Sequence, residues 1–159
     1  MMRALILSSL LLAAGTAAAS DMRYPATGVP AVTFKVPDGW SAKEADGKLL
    51  ASSADGSATV TIAIVPFAGD MEELAEQALY AANADHPTDK RGVTVAGVDG
   101  YMFHSQQKGA GGAVRQVMFV DAQIAPGRSL TGILSAVDDE SPSRMAGLRL
   151  LDRLTLVLK

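Results

Sequence analysis

The chain has 159 residues, is 48% hydrophobic and 19% charged, and carries a formal net charge of −3 with no cysteine. Mild acidity without a basic stripe leaves no electrostatic footprint for nucleic acid. The missing cysteines exclude disulfides and thiol chemistry, so packing alone must hold the fold.

The first 20 residues read as a cleaved secretory signal peptide. Arg3 supplies a positive start, Ala4 to Ala14 a short apolar core, and Ala17-Ala18-Ala19 a small-residue cleavage pattern, with the cut after Ala19 or Ser20. The apolar run is shorter than the roughly 20 residues a bilayer span needs. Loss of Arg3 takes the net charge from −3 to −4. No later segment is long and apolar enough to span a membrane, and no cysteine marks a lipid anchor. A periplasmic location follows, with secretion as the alternative. What remains is about 140 residues, the size of one ordinary domain.

Residues 21–31 hold two prolines and a glycine and read as an irregular leader arm before a single α+β domain over 32–159. Val32 to Val36 alternates as a strand, which Pro37-Asp38-Gly39 stops ahead of Trp40. Leu49 to Ser53 and Thr59 to Val65 flank Asp55-Gly56, a hairpin signal. Met71, Leu74, Ala75, Ala78, Leu79 and Ala82 form one apolar stripe, which predicts a helix over 70–84. Asp70 would be its N-cap, with Glu73 at the capping-box position. A loop over 85–92 ends it.

Strands follow at 93–98 and 101–107, separated by Asp99-Gly100 as a tight turn or a bulge. Lys108 to Gly112 is a glycine-rich hairpin loop, 113–124 a long strand whose centre, Val117 to Val120, is apolar on both faces, and 129–137 its partner. Ser141-Pro142 opens a second helix running to about Leu154, with Met145, Leu148 and Leu151 as its buried side and 155–158 as an apolar tail. Hairpin connections make the sheet mainly antiparallel. A central strand buried on both faces calls for a helix on each.

This pattern resembles the PsbP-like superfamily of α/β/α sandwiches, which includes the photosystem II extrinsic subunit, a Ran-binding nuclear import factor and periplasmic proteins of the DcrB type. The residues that carry the resemblance are Phe34 to Trp40, the Asp55-Gly56 hairpin running into Ile62 to Pro66, the helix at 70–84, and Leu151-Asp152-Arg153-Leu154. It spans Val32 to Val157 and implies a non-catalytic scaffold or partner-binding role. The chain departs from relatives in lacking a lipidation cysteine and a lysine-rich leader, so a photosynthetic role is not implied.

Residues with chemical potential are few. With no cysteine, a nucleophile would be Ser or Thr, and only His86 and His104 could serve as its base; no G-x-S-x-G elbow is present. Alternation makes His104 a half-exposed strand residue, and His86 sits in a loop. Two histidines 18 positions apart do not make a metal cluster. The Asp-Gly pairs at 38–39, 46–47, 55–56 and 99–100 lack calcium-loop spacing and read as turns. Asp138-Asp139-Glu140 precedes a helix and suits its positive end. The Gly109–Gly112 loop lies between strands, not before a helix, so it reads as a hairpin tip and not a phosphate cradle. Trp40 reads as a core-edge aromatic, with an interface anchor as the alternative. Arg144, Arg149 and Arg153 form a solvated helix face.

No catalytic, cofactor or metal residue is therefore assigned, and partner-binding residues are left open. The sequence points to an exported, non-catalytic binding module that contacts a protein partner in the envelope. The alternative is a small periplasmic hydrolase or ligand-binding protein that uses His104.

Overall fold

The computed structural model describes residues 19–159. The leader over 1–20 thus lies outside the described residues except for its last two. In chain order the elements are β1 (Asp21–Tyr24), β2 (Ala31–Lys35), β3 (Trp40–Ala45), β4 (Lys48–Ser53), β5 (Ala58–Val65), α1 (Met71–Ala81), β6 (Thr88–Val95), β7 (Val98–Lys108), β8 (Val114–Ala125), β9 (Arg128–Ala136), α2 (Pro142–Asp152) and β10 (Thr155–Val157), with a single 3-10 turn at Ala110–Gly112 between β7 and β8.

Seven strands form one sheet in the order β3-β4-β5-β9-β8-β7-β6, and three form a second in the order β1-β2-β10. Every pairing is antiparallel. The fold is α+β, as expected, with one helix on each face of the large sheet. On one face Ala75 and Leu79 of α1 pack on Phe103, Val117 and Phe119. On the other, Leu150 and Leu151 of α2 share a core with Val60, Val120 and Leu134, and with Val32 and Phe34 of the small sheet. The central strand β8 is buried from Val117 to Ala122, so both of its faces are covered.

Local chemistry explains most boundaries. The Asp70 carboxylate accepts the Glu72 N–H at 2.7 Å and caps α1. Glu73 does not complete a capping box; its carboxylate instead accepts from Gln77 at 3.0 Å. Ser141 caps α2 by accepting the Arg144 N–H at 3.1 Å, with Pro142 in the first turn.

Three expectations need correction. The leader arm is irregular only from Pro25 to Pro30; Asp21–Tyr24 pairs with β2, because its alternation lets Tyr24 reach the core. The apolar tail completes the same small sheet, as Thr155–Val157 pairs with the other edge of β2. Asp99-Gly100 is not a turn. Ala96 and Gly97, both at positive φ, close the β6–β7 hairpin, and Gly100 lies inside β7. A Cβ there would collide with the Asp121 carbonyl oxygen and the Ala122 side chain, so the glycine serves close strand approach. Finally, α2 turns Gly147, Leu150 and Leu151 inward, leaving Met145 43% exposed. Gly147 sets that phase: a Cβ on it would stand 2.6 Å from Leu134 and 3.3 Å from Trp40.

Candidate functional site

The two helices cover different parts of the large sheet. Helix α2 packs on β5 and β9, and so leaves the β6–β7–β8 part of its face without a helix above it. The gap is an apolar groove of about 300 Å³. Its floor is Val95, Met102, Met118 and Val120, and Leu148 and Leu151 of α2 form one wall. Val93 and Thr94 carry the groove to the edge of the sheet, and Arg149 and Asp152 supply its charge. Strand alternation builds this floor: Met102 and Met118 face α2 because Phe103 and Phe119 face α1.

The histidines do come together. His86 and His104 line a shallow depression with Asp85, Thr88 and Asp89. The contacts there are structural. His86 Nδ1 lies 3.6 Å from Glu76 and is largely exposed. The Ser105 hydroxyl beside His104 donates to the Asp85 carbonyl at 2.6 Å, and alternation sends the two side chains to opposite faces. Among the described residues no nucleophile–base hydrogen bond forms at His104, and no group of three or more His, Asp or Glu side chains could hold a metal ion.

The other candidates lie where the bland readings put them. The Asp-Gly pairs at 38–39, 46–47 and 55–56 are turns. At the last, the Ser53 hydroxyl and the Ser57 amide and hydroxyl hold the Asp55 carboxyl down at about 2. Asp138 accepts the Glu140 N–H at 2.8 Å and Asp139 pairs with Arg144 at 3.4 Å, which ties the acidic run to the start of α2. The glycine loop is the β7–β8 hairpin tip. Trp40 is buried at 7% exposure under α2. Arg149 and Arg153 are exposed, but Arg144 does not share their solvated face: it is half-buried against Asp139 at the start of α2.

One residue escaped the sequence reading. Asp121 is fully buried in β8, and neither carboxylate oxygen has a hydrogen-bond partner. It shares the α1 face with Phe119 and lies opposite Tyr101. Burial pushes its carboxyl up to about 7, against the downward pull of the Tyr101 backbone and the Lys90 ammonium. Lys90 stands 4.5 Å above the Tyr101 ring and 3.3 Å from Glu72. The available signal was position: an acid two residues after Phe119, and so on its face, directly following the run Val117 to Val120 that is apolar on both faces.

No protein-family model matches the sequence, and no curated protein matches it. Solved structures do. The chain is similar to the solution structure of cyanobacterial PsbP (CyanoP) from Synechocystis sp. PCC 6803, with a TM-score of 0.60 and 14% identity over 90% of this chain and 96% of that one. The fold is PsbP-like. It is also similar to the crystal structure of LpqN from Mycobacterium tuberculosis, described as involved in cell envelope biogenesis, with a TM-score of 0.57 and 16% identity over 87% of this chain and 91% of that one. The PsbP-like architecture read from Phe34 to Leu154 is therefore present. Among the described residues no helix is long and apolar enough to cross a membrane.

Proposed function

We propose that this chain is an exported, non-catalytic accessory module of the cell envelope that holds a protein partner in the groove beside α2. The groove carries the reading. It is apolar, open, and reaches the sheet edge, whereas the histidine depression lacks the convergent hydrogen bonds that acid–base chemistry needs. The signal-peptide pattern at 1–20 supports export to the periplasm, with secretion as the alternative. The envelope role named for LpqN supports the same compartment.

Affinity purification of the tagged protein from the periplasmic fraction tests this reading, with Leu148→Glu as the groove-blocked control. One stoichiometric protein that is recovered with the wild type and lost with the variant supports it. Equal recovery with both, or a bound small molecule and no protein, refutes it. Turnover of any ester or amide substrate abolished by His104→Ala would instead establish the hydrolase reading.

A further inference from the structure

The groove opens at β6, an edge strand of the seven-stranded sheet. The two halves of this strand differ. Its first half is guarded: a register shift lies between Thr88 and Arg91, Asp89 has a φ of 52°, and Lys90 and Arg91 are charged. Bulges and charges of this kind keep an edge from pairing with other chains. Its second half, Gly92 to Val95, has none of these guards.

Ladder geometry says which backbone groups are open. The two-residue turn at Ala96-Gly97 makes Val95 and Val98 the closing pair; Thr94 next faces Asp99 as a non-hydrogen-bonded pair, and the following hydrogen-bonded pair is Val93 with Gly100. Antiparallel ladders alternate, so Val93 and Val95 bond inward to β7 while Gly92 and Thr94 present N–H and C=O outward. No turn or loop backbone among the described residues takes up the Gly92 or Thr94 groups. Gly92 and Thr94 are exposed, and nothing stands within 4 Å of where a Cβ of Gly92 would lie.

The side chains on the same segment complete the site. Val93 and Val95 belong to the groove, and Arg91, two residues earlier, shares their face. Arg149 stands in the groove wall. Neither arginine is in an ion pair among the described residues.

We propose that the partner binds as an extended segment that adds a strand to β6 at Gly92–Thr94, sends alternate apolar side chains into the groove beside Val93 and Val95, and places a carboxylate against Arg91 or Arg149. This rests on the groove reading above and specifies how the groove is filled. Main-chain bonds to the edge supply affinity in such additions, and pockets for every second side chain supply selectivity. An added strand lies about 4.8 Å beyond β6, which sets its inner side chains at the groove mouth. The cations select an acidic segment. They also disfavour a second copy of this chain, which would bring two Lys90-Arg91 pairs to one edge.

The test pans a random-peptide phage library on the purified protein and measures synthetic versions of the selected peptides by fluorescence anisotropy. Strand addition predicts peptides with apolar residues at alternate positions and an acid toward one end. Single N-methylation along the peptide should weaken binding about tenfold at every second residue and leave the residues between unaffected. Thr94→Pro removes an outward N–H while sparing the β6–β7 ladder, and should likewise cost about tenfold. Arg91→Glu should reverse the preference for acidic peptides. Binding that is lost with Leu148→Glu, survives Thr94→Pro and shows no period of two overturns strand addition and leaves the groove reading standing. Peptides indifferent to all three variants, or no selected peptide, overturn both. A dimer in sedimentation velocity that Thr94→Pro dissociates would assign the edge to a second copy and overturn the proposal. Should Thr94→Pro fail to fold, the methylation period decides.

Discussion

Replacing Asp121 by Asn removes one ionisable group from beneath α1 while keeping nearly the same shape. Asp121 is fully buried and unpartnered, and its carboxyl is raised from 3.8 to about 7 by burial. The facing groups are Asp70 at the start of α1, which raises it, and Lys90 on β6 with the Tyr101 backbone on β7, which lower it. Lys90 in turn pairs with Glu72 of α1. Because the folded value exceeds the unfolded one, the native state keeps a proton that the unfolded chain has released. Stability is therefore full below about pH 4, falls as pH rises toward about 7, and levels off above it. About three pH units at about 1.4 kcal/mol each gives a loss of about 4 kcal/mol. Urea unfolding of wild type and Asp121→Asn from about pH 4 to about pH 8 reads this directly. The two should match at the acid end, and the variant should lead by about 4 kcal/mol at the alkaline end. Other carboxylates, such as the hydrogen-bonded Asp55, titrate in both proteins and cancel in the difference. A difference that stays constant across the range would show an unperturbed carboxyl, and a wild type that gains on the variant as pH rises would show Asp121 ionised and paired in the fold; either refutes the argument.

Two further substitutions test the local chemistry. Asp70→Ala removes the acceptor of the Glu72 N–H and should cost about 1 kcal/mol in urea unfolding, with little change in overall circular dichroism. Gly100→Ala drives a methyl group into the Asp121 carbonyl and the Ala122 side chain; backbone cannot yield as a flexible side chain can, so the loss should reach about 3 kcal/mol, read as a lowered thermal midpoint.

The elements most legible in the sequence were those with a clear period. The stripe from Met71 to Leu79 marked α1, and Val60, Ile62 and Ile64 marked β5, because one buried face imposes a repeat that composition preserves. Elements with little to bury were not legible. Residues Ser41 to Ala45 of β3 are mostly exposed and charged, as an edge strand permits, and carry no alternation of apolar residues. The start of β6 at Thr88 is hidden in the same way, since 88–92 reads as a loop yet Thr88, Arg91 and Gly92 pair with β7 around a bulge at Asp89-Lys90. The Asp99-Gly100 pair misled for a different reason: glycine serves close approach as well as turns, and the turn fell on Ala96-Gly97. The phase of α2 was hidden because its contact is made by what Gly147 lacks. The groove depends on where α2 lies across the sheet, which no local pattern encodes. Asp121 depends on a tertiary fact too, the depth of β8.

The unequal helix cover of the sheet bears on where the proposed docking surface lies. Helix α1 sits over β7 and β8, so on its face the strands left without a helix are β4, β5 and β9. There hydroxyls and apolar side chains are mixed: Ser52, Thr59, Thr61, Thr131 and Ser135 share that face by register with Leu50, Ala63, Val65 and Ile133. Some of the hydroxyls are already engaged, as Arg115 Nε donates to the Ser135 hydroxyl at 2.8 Å and that hydroxyl donates to Gln107 at 3.0 Å. Hydroxyls engaged in this way gain little by shedding water. On the α2 face the strands without a helix line the groove with Val93, Val95, Met102, Met118 and Val120, of which Val95, Met118 and Val120 are already buried and Val93 and Met102 half-buried. Only the area still exposed gains on contact, so shielding Val93 or Met102 is worth a fraction of the about 1.5–3 kcal/mol of a full side-chain transfer, and methionine can reshape to fit an incoming side chain. The half-faces thus differ in degree: the groove floor is apolar throughout, whereas the strands beside α1 interrupt their apolar side chains with engaged hydroxyls. The groove is also the one that runs into the unguarded second half of β6.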